Sequence, residues 1–364
     1  AMSDGKPYRL ELRMTTATGR EIWVLATGQG DIRDGKCVRL FGAIQDIDQH
    51  KRDEIALAFA ATLNQTLATL TTHPAVLAGD FATACQAITN AMRVALQTPR
   101  TGIWLFSKDH NQLIPTAMSD AASATSMRED SLCRERFPNY FAQLERCSQL
   151  SIDDATLYSE TTELHDYFSA LQISAMLDVV ITSGGVTLGV IKAEHRQAPH
   201  VWNETELAFL TSLSALAGSL YSATEKRLAE EQLHVSADRL QKLFELSPIG
   251  IALNDFDSGQ FLQVNDALIA PTGYTKQEFV GLSYWDLTPK EYEAQEAQQL
   301  ESMETTGSYG PYEKEYIRKD GSRYPVQLNG TVVHDLQGKR LIWSMVEDIS
   351  LRKTQEQSIR QLFN

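Results

Sequence analysis

One strand–turn–strand stretch occurs twice in this chain, near its two ends, and the repeat limits the architecture more than any other feature. Residues 18–54 read TGREIWVLATGQGDIRDGKCVRLFGAIQDIDQHKRDE, and residues 320–356 read DGSRYPVQLNGTVVHDLQGKRLIWSMVEDISLRKTQE. The two align without a gap. Gly19 falls on Gly321 and Asp46 on Asp348, an offset of 302 (321 − 19), with Val24/Val326, Ile47/Ile349 and Lys51/Lys353 in the same register. Copies that bracket a long unrelated stretch exclude a solenoid. The chain is modular, with two related units and something different between them.

The first copy reads as three strands over residues 8–47, turning at Asp34-Gly35, a pair suited to a φ > 0 hairpin. Three strands have one apolar face and nothing of their own to cover it. From Gln49 the period becomes helical through Ile55, Phe59, Leu63, Leu67 and Leu70 and stops at His73-Pro74. A second helix is expected over Asp80–Leu96, then strand Gly102–Phe106 with a returning strand around Leu113. Ser119–Asp130 reads as a surface loop, and Phe137–Cys147 and Leu164–Leu171 as short helices. AMLDVVITSGGVTLGVIKAEH reads as two strands joined at Ser183-Gly184-Gly185.

Asn203, with Glu206 three residues on, has the pattern of a capping box. The helix that follows keeps two-helix seam spacing through Leu207, Leu210, Leu213, Ala217, Leu220, Thr224 and Leu228, skips to Leu233, then resumes at Leu240 and Leu243. If continuous to Phe244 it spans about 60 Å, and a parallel helix from a second chain is the expected cover for its stripe. The skip between Leu228 and Leu233 resembles a stutter. Short strands and helices then alternate to Met303, and three strands close the second copy before helix resumes at Ser350.

A net charge of −14 argues against nucleic acid or an anionic membrane surface as the main partner. Cys37, Cys85, Cys133 and Cys147 show no C-x-x-C spacing, so free thiols in a reducing, cytoplasmic compartment are expected. No apolar run looks long enough to span a bilayer, and no membrane contact is expected. Ala1-Met2 reads as a cloning remnant, so the chain is expected to be an excised piece of a longer protein.

Residues 243–352 resemble a PAS domain over its full length, carried by SPIGIALND, FLQVNDALIAPTGYTKQEFVG, YEKEYIRKDGSRYPVQLNG and the closing VEDIS. By the repeat, residues 1–48 resemble the C-terminal part of a second, truncated PAS domain. Residues 55–224 are similar to a GAF domain in their paired entry helices, the LDVVITSGGVTLGVI strand pair and the WNETELAFL exit helix. The resemblance implies an α+β fold: antiparallel-sheet sensor domains in tandem, joined by long coiled-coil-like helices. Residues 49–54 would start a linker helix, 225–242 would form a signalling helix and 353–364 the start of an output helix.

The resemblance also implies where a signal would travel. The terminal D-I-T/S of PAS domains joins sheet to outgoing helix. Asp46, Asp348 and Ile349 take that position here, with Gly321 at the repeated turn and Leu228 and Leu233 at the skipped spacing. A carboxylate there can cap the first helical turn, although the first copy has Asp48 where Ser or Thr is usual. Trp285, Tyr316, Leu328 and Ser344 are the candidate lining of a PAS pocket, and Phe137, Tyr140, Asp153 and Asp178 of a GAF pocket. Core packing explains these residues equally well. Alternation places Asp178 toward solvent; if it is buried, it needs a partner.

No cofactor is predicted. Covalent flavin lacks its helical cysteine, haem lacks a histidine on Pro289–Met303, and bilin lacks a Cys-His pair, since Arg134 follows Cys133 and Ser148 follows Cys147. A small organic ligand stays open. His165 and His195 have no neighbours at metal spacing, so no metal is expected. The resemblance implies a non-enzymatic sensory module: a parallel homodimer that detects or relays a signal to a downstream output domain on the same chain, of diguanylate cyclase/phosphodiesterase or histidine kinase type. The alternatives are a ligand-free dimerising spacer and a free methionine sulfoxide reductase using Cys85, Cys133 or Cys147.

Overall fold

The computed structural model describes residues 6–33, 36–122, 131–158 and 163–362. It forms two compact units, Ala1–Leu228 and Ala229–Asn364. The first holds β1 (Tyr8–Thr15), β2 (Glu21–Arg33), β3 (Lys36–Asp46), α1 (Asp48–Thr71), α2 (Pro74–Leu77), α3 (Phe81–Ala95), β4 (Arg100–Phe106), β5 (Gln112–Asp120), β6 (Leu132–Cys133), α4 (Pro138–Arg146), β7 (Gln149–Ile152), α5 (Leu164–Leu171), β8 (Ile173–Ser183), β9 (Val186–Arg196) and the first part of α6 (Glu204–Glu245). The second holds β10 (Gly250–Asp255), β11 (Phe261–Val264), α7 (Asp266–Ile269), α8 (Lys276–Val280), α9 (Tyr284–Leu287), α10 (Glu293–Thr306), β12 (Ser308–Ile317), β13 (Arg323–His334), β14 (Arg340–Asp348) and α11 (Ser350–Leu362).

The repeat is structural as well as sequential. Val24 pairs with Asp46 on the first sheet, and Val326 with Asp348 on the other. The turn bonds repeat too: Gly19 N donates to Thr16 O and Gly321 N to Arg318 O, with φ of +82° and +83°. A β-carbon is disfavoured at that φ, so glycine belongs at both turns. The first copy is a three-stranded sheet, β1-β2-β3, whereas the second is a complete five-stranded one, β11-β10-β14-β13-β12. Leu10, Leu12, Met14, Leu40 and Ile44 of the first sheet are exposed. The Asp34-Gly35 turn lies outside the described residues.

Between the copies, the sheet order β6-β5-β4-β9-β8-β7 separates two cores. α1, α3 and the first part of α6 pack on one face with Leu63, Ile88, Leu210 and Leu213, while α4 and α5 cover the other with Phe137, Tyr140 and Phe168. Ser119 and Asp120 end β5 rather than opening a loop, since they pair with Thr101 and Arg100. Ala121 and Ala122 form a turn, and the remainder of that expected loop, 123–130, lies outside the described residues.

The capping box forms. Asn203 Oδ1 accepts from Glu206 N at 3.0 Å, and Glu206 Oε2 accepts from Asn203 N at 2.9 Å. α6 runs unbroken through the skipped spacing. Part of its stripe is covered within its own unit, where Phe209, Leu210, Leu213, Ala217 and Leu220 are buried, while Leu228, Leu233, Leu240 and Leu243 are exposed. α6 is also the one helix among the described residues long and apolar enough to cross a membrane by length and composition. That buried face accounts for its apolarity.

Candidate functional site

In the second unit, α10 and the short helices α7–α9 cover the inner face of the sheet. Between them lies a cavity of about 30 Å³ lined by Asn254, Tyr284, Tyr309, Tyr312, Lys314 and Ser344 among others, room for one or two water molecules. Period-two alternation along β12 turns Tyr312, Lys314 and Tyr316 inward together. Lys314 Nζ donates to Glu296 Oε1 of α10 at 2.6 Å and to Thr288 Oγ1 at 2.9 Å, and the Tyr312 hydroxyl donates to the same carboxylate. Lys314 lies over the Tyr316 ring at 5.0 Å. Tyr309 donates to Ser344 Oγ at 2.8 Å. Burial holds the Lys314 ammonium below its ordinary pKa, against the pull of Glu296, and pushes the Tyr312 phenol far up.

Tyr316, Leu328 and Ser344 line this cavity. Trp285 does not: it is 39% exposed on one-turn α9, and its neighbour Tyr284 turns inward in its place. Sequence reasoning missed Lys314 and Glu296. A lysine on an alternating strand reads as solvent-facing, and nothing local marks its partner on α10.

At the sheet–helix junctions, Asp348 Oδ1 accepts from Ser350 N at 2.8 Å and Asp46 Oδ1 from Asp48 N at 2.8 Å. Ile349 N donates to Pro325 O, and Ile47 N to Trp23 O, again 302 apart. Asp48, in the place of the usual Ser or Thr, is buried against Arg20 at 2.9 Å and Arg52 at 3.0 Å. Each outgoing helix is also tied to the sheet by an ion pair: Lys51 to Glu11 at 2.7 Å, and Lys353 to Glu313 at 2.5 Å with Arg352 alongside at 2.6 Å.

In the first unit, Asp178 is fully buried, which corrects its expected solvent orientation. Alternation puts it with Met176 and Val180 on the face that α4 and α5 cover, where it pairs with Lys192 across β8 and β9. Asp178 Oδ2 accepts from the Tyr140 hydroxyl at 2.6 Å and lies 3.4 Å from Lys192 Nζ. Burial raises the Asp178 carboxyl to about 6. Phe137 is packed in the same core. Asp153 is not part of that interior: it is exposed, accepting from Trp202 N at 3.2 Å. His165 lies at Tyr158 O, and His195 stacks on His200 at 4.2 Å. Among the described residues, no group of three or more His, Cys, Asp and Glu is placed to hold a metal ion. Cys85 is buried, and its thiol is pushed up to about 12, far from a reactive thiolate; Cys133 is half-buried and Cys147 exposed.

Two antiparallel α+β units, each with a polar interior under helices and each leading into a further helix, define tandem sensor domains. Residues 80–220 match the family model described as GAF domain, and residues 248–350 that described as PAS domain. The chain is 27% identical over 177 residues to the methyl sulfide methyltransferase-associated sensor of Methanosarcina acetivorans, covering 49% of this chain and 17% of that protein. It is 32% identical over 145 residues to the probable diguanylate cyclase DgcE of Escherichia coli, covering 39% and 12%. Among solved structures it resembles the GAF domain of a Coxiella burnetii phosphoenolpyruvate-protein phosphotransferase, at 16% identity and TM-score 0.40, covering 48% of this chain and 98% of that one. The chain thus spans less than a fifth of the curated relatives it matches. It is a sensory region of a signalling protein, and its role is to sense or transduce a signal.

Proposed function

We propose that the PAS cavity is the sensing site, that it opens beyond its present volume to take a small organic ligand, and that α11 carries the result toward an output domain. One observation carries this reading. Strand β12 presents Tyr312 and Lys314 to the cavity, while Glu313 between them faces out and holds Lys353 and Arg352 at the start of α11. Movement of β12 on ligand binding therefore pulls directly on the outgoing helix. The same strand-to-helix pair stands at Glu11 and Lys51 in the other copy.

Exposed pairs of this kind contribute only about 0–1 kcal/mol, so their loss should leave the fold intact while freeing the helix. Glu313→Lys is expected to speed amide exchange over the first two turns of α11 and leave the exchange of β13 unchanged. Equal protection of α11 in parent and variant would remove the link. The small cavity favours one second reading, a ligand-free relay; native mass spectrometry of the purified chain separates the two by the presence or absence of a retained small molecule.

The chain works as a parallel homodimer in the cytoplasm, feeding an output domain of the diguanylate cyclase or histidine kinase kind. Leu228, Leu233, Leu240 and Leu243 of α6 are exposed, with seam spacing resuming over the last two. The partner's equivalent helix is the cover that fits such a stripe. Leu233→Asp with Leu240→Asp should convert a dimer to a monomer in light scattering, with unchanged circular dichroism. A monomeric parent chain would end the proposal.

A further inference from the structure

The side of the GAF sheet under α4 and α5 holds a charge in an unusual setting. Lys192 is 1% exposed, and its Nζ lies 5.6 Å from the Trp104 ring centre, 5.0 Å from Tyr140 and 5.2 Å from Tyr167. All three rings stand within cation–π range. Asp178 supplies a carboxylate oxygen at 3.4 Å, and the Met176 sulfur lies at 3.8 Å. Glu194 is committed elsewhere, to Arg100 at 3.3 Å and the Tyr167 hydroxyl at 2.8 Å, so Asp178 is the carboxylate facing the ammonium. Two buried polar atoms of the box, Asp178 Oδ1 and Trp104 Nε1, have no hydrogen-bond partner. Across the sheet from Lys192 stands Gly102, where a β-carbon would collide with the Met118 sulfur and meet Trp104 Nε1 at 3.0 Å. The backbone is thus thinned to admit the indole.

Three aromatic faces and one carboxylate converging on a buried nitrogen make the chemistry that recognises an organic ammonium. Here the chain fills it with its own side chain. We propose that the GAF domain is built around a primary-alkylammonium site occupied in cis by Lys192, so that this domain admits no outside ligand there and acts as a relay. The inference is independent of the PAS cavity. It concerns a different domain, and either can fail alone.

Lys192→Ala in the full chain removes three methylenes and the ammonium, the shape and charge of n-propylammonium. Loss of one partner from a buried pair should lower the GAF melting temperature on the order of 10 °C. Millimolar n-propylammonium should restore part of that loss in the variant and leave the parent unmoved, while n-propanol should fail in both. Equal rescue by propanol would mean an apolar void without cation recognition. Equal stabilisation of the parent by the amine, or no loss in the variant, would also overturn the proposal.

Should the alanine variant not fold, Lys192→Met keeps the stem and removes the charge. Asp178 then faces Tyr140 of α4, Tyr167 of α5 and Glu194 of β9 without its cation. Its raised pKa should climb further, so the variant should lose stability relative to the parent as pH rises from 5 to 8. A pH profile parallel to that of the parent would refute the assignment.

Discussion

Asn265→Ala is expected to destabilise the PAS domain by about 3 kcal/mol, a fall in its melting temperature of roughly 10 °C. Asn265 is fully buried and uses its whole amide. Its Oδ1 accepts from Ile251 N of β10 at 2.8 Å and caps α7 through Leu268 N at 3.1 Å. Its Nδ2 donates to Phe244 O, near the end of α6, at 3.0 Å and to Ile249 O at 2.9 Å. One side chain thus binds an arriving helix, a central strand and a departing helix. Alanine takes this partner from the Phe244 and Ile249 carbonyls and the Ile251 amide, and leaves Leu268 N only its 3.2 Å bond to the backbone oxygen of residue 265. Asn265→Ser retains a cap for α7 but is too short to reach Phe244, so it should fall between parent and alanine. Calorimetry supplies the stabilities, and amide exchange at residues 240–246 should rise in both variants. A parent-like melting temperature for Asn265→Ala would show that the clamp does not hold.

That asparagine was legible in the sequence only as part of the N-D-A-L pattern that carries the PAS resemblance. The clamp itself joins Asn265 to residues 14 to 21 positions before it, which no local pattern reports. Features set by nearest neighbours were readable: the glycine turns at Gly19 and Gly321, the Asn203–Glu206 capping box and the Gly184-Gly185 hairpin, whose φ values are +57° and +81°. The repeat did more, because the junction bonds of one copy could be carried to the other residue by residue.

Sites failed where burial was set by distant elements or by a single step of backbone. Period-two alternation does put Asp178 on the face opposite Leu177 and Val179, together with Met176 and Val180, but that face is not open to water. α4 and α5 cover it, so Asp178 is buried beside Lys192 and Tyr140 by helices that no local pattern on β8 reports. Trp285 and Tyr284 sit on a four-residue helix, too short for periodicity to say which one faces in. Lys314 and Glu296 were hidden for a different reason. Each is charged, and charged residues are seldom fully buried unless paired, while pairing across 18 residues is invisible before folding.

That buried pair gives the other large effect. Glu296→Gln should cost about 3–5 kcal/mol at neutral pH, because it strands an ammonium in a nearly dry interior. The amide left at position 296 can still accept from Tyr312, so the loss falls on Lys314. Burial already holds the Lys314 pKa below its unfolded value, with Glu296 opposing that shift. Without the carboxylate it should drop further. A folded pKa below the unfolded one means the unfolded chain binds more protons between the two values, so stability rises with pH there. The deficit of Glu296→Gln relative to the parent should therefore shrink as pH rises from 7 toward 10. Adding Lys314→Met removes the stranded charge, and the double variant should return to within about 1 kcal/mol of the parent with no such pH trend. The three proteins can be compared by urea denaturation at each pH. A deficit unchanged with pH, or one that Lys314→Met fails to relieve, would mean that the cost arises from packing around α10. Charge at Lys314 would then have no part in shaping the cavity.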